Sequence, residues 1–151
     1  MFDEIVKMVK EQLGNDPKLA SEIPADQADA VHHEIAQQVT NGLAGQASSQ
    51  GGIGGLLSML QGGVSSGSPL TSAISGGLVG SLGSKFGLSP AITGAIAAAL
   101  PGLLQKFANK AADPSDPSIT EDSISSSLSK LGGGNTGNSG GILGNLGGLF
   151  K

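Results

Sequence analysis

At 151 residues the chain is sized for one domain with tails, and with 4 Phe and no Trp or Tyr its core must be built from Leu, Ile, Val and Ala. Zero Cys excludes disulfides, thiolate metal sites, thiol catalysis and lipidation through cysteine. A net charge of −4, no Arg and no basic cluster argue against nucleic acid as a partner, because phosphate and guanine recognition leans on the Arg fork.

The charge is uneven. Residues 1–34 carry 8 acids and 3 Lys, whereas residues 35–112 carry no acid and only Lys85, Lys106 and Lys110. Gly contributes 26 residues, yet the apolar residues still recur at helical spacing, so the expected class is an all-α bundle of about five to seven short helices rich in Gly, Ala and Leu. A pocket lined by aromatics for a small-molecule substrate is not expected, and neither is a cofactor. The N-terminus carries acids where a secretory leader would be basic and then apolar, and the expected location is the cytoplasm.

In chain order, residues 1–13 read as an amphipathic helix with Phe2, Ile5, Val6, Val9 and Leu13 on one face. Asp16-Pro17 opens a short turn through Ala20 as N-cap and first helical residue. Pro24 opens a helix whose stripe is Val31, Ile35, Val39 and Leu43, with residues 44–52 as a loop or a frayed last turn. Residues 51–63 (GGIGGLLSMLQGG) form a short apolar helix between glycine hinges.

The stretch 68–87 (SPLTSAISGGLVGSLGSKFG) is the organising element. At ~100° per residue, Leu70, Ile74, Leu78, Leu82 and Phe86 form one ridge, while Gly76, Gly80, Gly83 and Gly87 centre on the opposite side. Each helical glycine costs about 1 kcal/mol relative to Ala, so this helix is expected to be packed on both faces, within the chain or against another copy. Ser68-Pro69 and Ser89-Pro90 cap this helix and the next, which runs over 90–112 with Pro101 inside it. After a Pro-rich connector, Ser118 and Glu121 are placed for a capping box before a last helix carrying Ile124, Leu128 and Leu131.

The expected organisation is a helical domain over 1–131, a flexible glycine-rich linker over 132–141 (GGNTG and its neighbours) and an apolar docking segment over 142–151. In that segment Ile142, Leu143, Leu146, Leu149 and Phe150 fall at i, i+1, i+4, i+7 and i+8, and its composition echoes residues 51–63. With Gly76, Gly80, Gly83 and Gly87, these five are the candidate self-association residues.

No constellation points to catalysis. Residues 63–67 match G-x-S-x-G, but both His precede it and no strand leads into it. GSLGSK at 80–85 lacks the Lys directly after the last Gly that a phosphate loop needs. His32 and His33 with Asp29 and Glu34 are too few and wrongly spaced for a closed metal site, and Asp29 to His33 reads as an i, i+4 pair. Asp113, Asp116, Glu121 and Asp122 read as a solvated connector.

The opening helix, Ile23-Pro24 before the His-bearing helix, Gly42-Leu43, FGLSPAITGAIAAALPGLL at 86–104 and ADPSDPS at 112–118 together resemble small bacterial proteins of unknown function, Bacteroidota-type members related to the YidB-like family. The resemblance spans roughly residues 1–131, with the tail variable in such proteins. It implies an all-helical cytosolic protein and brings no activity, cofactor or site residue.

The expected function is a non-enzymatic, self-associating structural or assembly protein whose partner is itself, as a homo-oligomer or filament. A membrane-associated helical protein using 86–105 or the C-terminal apolar segment is the alternative. A metal-binding protein or enzyme ranks last.

Overall fold

The computed structural model describes residues 2–64, 67–117 and 119–132, with the backbone alone for Glu121, Leu128, Leu131 and Gly132. Seven helices follow one another along these residues: α1 (Phe2–Gly14), α2 (Pro17–Glu22), α3 (Ala28–Ser49), α4 (Ile53–Gln61), α5 (Pro69–Phe86), α6 (Pro90–Ala112) and α7 (Glu121–Gly132). No strand occurs among them, so the all-α expectation holds. Gly132, the first residue of the expected linker, ends α7, whereas the rest of that linker and the docking residues Ile142, Leu143, Leu146, Leu149 and Phe150 lie outside the described residues, as do Ser65 and Ser66 of the G-x-S-x-G match.

Most ends follow from local chemistry. Asp16 accepts from the Lys18 N–H at 3.0 Å ahead of Pro17. Ser68 Oγ accepts from the Thr71 N–H at 3.2 Å ahead of Pro69, and Ser89 Oγ from the Ile92 N–H at 3.4 Å ahead of Pro90. These are side-chain caps followed by a proline that has no N–H to leave unsatisfied. Gly87 closes α5 at φ +64°, a left-handed position that suits glycine.

Three boundaries differ from the sequence reading. α3 starts at Ala28, because Pro24 instead heads a turn in which the Gln27 N–H donates to its carbonyl at 2.9 Å. Of the two readings for residues 44–52, loop or last turn, α3 continues in regular helix to Ser49, carried by buried Ala47 and by Ser48 and Ser49 hydroxyls donating to the Ala44 and Gly45 carbonyls. The capping box of α7 is Thr120 and Ser123. The Ser123 N–H donates to Thr120 Oγ1 at 3.1 Å and the Thr120 N–H to Ser123 Oγ at 2.8 Å. Ile119 and Ile124, the residues at N′ and N4 of this helix, are both buried, as a hydrophobic staple requires.

Four helices make the frame, and their tie points give the directions. Lys10 pairs with Asp29 at 2.7 Å while Phe2 faces His33, so α1 and α3 are antiparallel. Lys85 meets Glu34, Ser81 meets Gln38 and Ile74 meets Gly42, so α3 and α5 are antiparallel. Residues 87–89 turn α5 back into α6, and Lys110 near Glu4 with Gly102 beside Gln12 runs α6 opposite to α1. α1, α3, α5 and α6 therefore form a square with alternating directions. α2 covers α1 and α6, α4 lies on α6 and α3, and α7 packs on α3 and α4. One core runs through all of it, almost wholly aliphatic, with Phe107 its one fully buried aromatic ring among the described residues.

Glycine sets one spacing in this frame. A Cβ on Gly42 of α3 would run into Cγ1 of Ile74 on α5, so Ile74 seats directly on helix backbone. Gly45, one turn along, faces open space. Gly42→Ala is therefore expected to destabilise the fold by about 1 kcal/mol or more, overpacking outweighing the helix-propensity gain. Gly45→Ala is expected to stabilise it by up to about 1 kcal/mol. Urea unfolding of the two variants side by side checks the contrast.

Candidate functional site

The two faces of α5 have different fates. Leu70, Ile74, Leu78 and Leu82 are all buried, and Phe86 is partly buried against the core. Gly76, Gly80, Gly83 and Gly87 are exposed. A Cβ built on Gly76 or Gly80 meets no atom within 4 Å, and on Gly83 it meets only the Leu88 carbonyl oxygen at 4.0 Å. The expectation of packing on both faces is thus met on one face by the chain itself, and the described residues leave the glycine face uncovered. Among these four, only Gly87 has a conformational reason inside the chain, its positive φ.

Val79 lies on the same side, one turn from Gly76 and Gly83. It is 41% exposed and is the one large apolar side chain so exposed among the described residues. On α6, Ala91, Gly94, Ala95 and Ala98 are exposed as well. Residues 69–84 and 86–105 contain no charged residue. The exposed face of α5 is thus a neutral surface of small residues around one Val, open to close approach by another backbone.

The seam between α3 and α5 holds a polar network that sequence reasoning missed. Glu34 is 7% exposed. Lys85 Nζ donates to its Oε2 at 2.7 Å, and Gln38 Nε2 donates to its Oε1 at 3.0 Å and to Ser81 Oγ at 2.9 Å. Burial pushes the Glu34 carboxyl up, but hydrogen bonds from Lys85, Gln38 and Ser81 outweigh it and hold the group below its ordinary value. The signal in the sequence was slight: an acid four residues before Gln38, and the first Lys in a long uncharged stretch.

The His-bearing region does not converge. The Asp29 carboxylate goes to Lys10, whose hydrogen bond lowers the Asp29 pKa, and not to His33. The His33 ring nitrogen Nδ1 instead lies 3.0 Å from the Asp29 backbone carbonyl, and the ring tilts against Phe2 at 5.8 Å. His32 is half-buried and its pKa is lowered, by burial first and by Lys10 second. Among the described residues no three His, Cys, Asp or Glu gather to hold a metal. GSLGSK lies within α5 and its last turn, so its backbone N–H groups are spent on the helix. In the acidic connector, Asp113 accepts from the Ser115 N–H and hydroxyl, and Asp116 pairs with Lys110. Glu121 is described by its backbone alone.

α6 is long and apolar enough by composition to cross a membrane. In this fold its stripe of Ile96, Leu100, Leu103, Leu104 and Phe107 is buried, against α5, α1 and α4.

The family model for bacterial proteins of unknown function, DUF937, matches residues 68–151. That is more than half of the chain, and the chain belongs to this family. The match begins on the Ser68 cap of α5 and includes the C-terminal segment. Searches of the curated proteins and of the solved structures return no match.

The seam makes a definite pH prediction. Glu34 has a depressed folded pKa, so its stabilisation is fully present above the ordinary value of 4.5 and is lost as pH falls through the folded value. Lys85→Met removes the cation and leaves a nearly buried carboxylate, at a cost of about 1–3 kcal/mol at pH 7. Urea midpoints of the two proteins should converge as pH drops below 4.5.

Proposed function

We propose that this family member is a non-enzymatic, self-associating helical protein of the bacterial cytoplasm, whose partner is a second copy of itself. We place it, on the 86–104 run, with the YidB-like, Bacteroidota-type members. The observation that carries the reading is the set Gly76, Gly80 and Gly83, exposed around Val79 with nothing among the described residues that a Cβ would strike. Three helical glycines cost about 1 kcal/mol each relative to Ala. Among the described residues nothing offsets that cost, whereas helix backbones from two copies approach closely only over small residues. A head-to-tail contact over such a face builds an open filament, and a self-complementary one builds a dimer.

The test uses substitutions that the fold tolerates. Gly76→Gln with Gly80→Gln adds side chains into open space and improves helix propensity, so thermal stability of the isolated subunit should hold or rise. Light scattering over a concentration series should show wild type growing in mass and the double variant remaining a monomer. A wild type that stays monomeric at high concentration would contradict self-association. A variant that assembles like wild type would move the contact elsewhere. Binding to liposomes by wild type and not by the variant would assign the face to lipid.

A further inference from the structure

The structure gives α4 a set of sequence requirements, and the chain meets them a second time. Gly51 and Gly52 lead into α4 at φ +81° and +113°, conformations that favour glycine. A Cβ on Gly55 would strike the Gln50 carbonyl oxygen. Ile53 packs against the core, and Leu57 and Leu60 are buried. The pattern with a structural reason at every fixed position is therefore G-G-I-x-G-x-L-x-x-L, residues 51–60. Residues 140–149 read Gly140, Gly141, Ile142, Leu143, Gly144, Asn145, Leu146, Gly147, Gly148 and Leu149, which is the same pattern.

We propose that residues 141–150 form a second α4-like unit that docks on their own chain, in the groove between α3, α4 and α7. This groove has a volume of about 280 Å³ and is lined by Ala44, Ala47, Ser48, Ile53, Ser125 and Ser129 with Gly52. The differences between the two copies of the pattern choose this seat. Leu56 of α4 is completely buried, and its counterpart is Asn145. An amide would enter the core without a partner there, so the segment cannot replace α4. In turn, exposed Gly54 and Gln61 of α4 correspond to Leu143 and Phe150, which turns the apolar face of the second unit toward a shallower, laterally open site.

Reach and charge agree. Ser129 lines the groove, and α7 ends three residues later at Gly132. Eight glycine-rich residues then lead to Gly141, a span on the order of 15 Å. Such a tether holds the segment near its own groove at an effective concentration on the order of millimolar. A larger groove of about 510 Å³ on the other flank of α7 is lined by Asp3, His33 and Lys130 among others. An uncharged apolar segment would have to desolvate those groups. Among the described residues the chosen groove has no charged lining residue.

The chain has no Trp and no Tyr, so full-length protein with Phe150→Trp carries a single indole reporter. Docking predicts blue-shifted emission and acrylamide quenching several-fold weaker than for a free indole, both independent of protein concentration. Ser48→Glu with Ser129→Glu, two exposed groove positions, should return the indole to solvent with the far-UV circular dichroism of the helices retained. Leu146→Asp with Leu149→Asp should do the same from the other side of the contact. A solvent-exposed indole in the Phe150→Trp chain would overturn the proposal. So would protection that survives both pairs of substitutions, or protection that rises with concentration, which would seat the segment on a second copy. The readout is separate from that of the α5 face: particle mass can change with the indole unmoved, and the reverse.

Discussion

The fold depends on how closely α5 can lie on α3. Gly42 has no side chain, so Ile74 sits against the α3 backbone, and the ridge of Leu70, Leu78 and Leu82 follows it into the core. At the other end of the same seam, Lys85 reaches Glu34 and Gln38 bridges to Ser81. An apolar lock and a hydrogen-bonded one thus fix the rotation of α5 about its axis. Once that rotation is set, Gly76, Gly80 and Gly83 point outward. The neutral exposed face of α5 is a consequence of the α3 contact.

Buried Leu and Ile on the ridge each contribute about 1.5–3 kcal/mol, enough to carry a helix whose glycines oppose its formation. The square of α1, α3, α5 and α6 distributes this burial over four antiparallel contacts. The family match begins at Ser68 and so takes in α5 and α6 but not α1 or α3. In this chain α5 packs both on α3, which precedes the match, and on α6, which lies within it. The matched segment carries both the ridge that requires a cover and the glycine face that the described residues leave open.

Much of this was readable in the residues. The opposition of leucines and glycines in 68–87 follows from a 100° step alone, and each Ser-Pro or Asp-Pro start was visible because it uses local chemistry. What was not readable was tertiary. A helical wheel ranks the faces of α5 but does not count its neighbours, so one-sided burial emerged only with the fold. The extension of α3 to Ser49 rests on Ala47 being buried, and Ala47 sits in a stretch whose composition reads as a loop. The Glu34 network joins residues 51 apart in sequence, beyond any local pattern. The Thr120–Ser123 box places a hydroxyl at N3 where the pattern looks for Glu, while Ser118 and the Glu121 side chain lie outside the described residues. The repeated G-G-I-x-G-x-L-x-x-L pattern was visible as a compositional echo, and only the φ values at Gly51 and Gly52 and the close approach at Gly55 gave its positions meaning.

The central claim is that α5 has one face filled by its own chain and the other reserved for a second copy. Amide hydrogen exchange, followed residue by residue in dilute and in concentrated wild-type protein, tests it most directly. The account predicts that protection of residues 76–83 rises with concentration while that of α1 and α3 does not. Equal protection of α5 at both concentrations would contradict it.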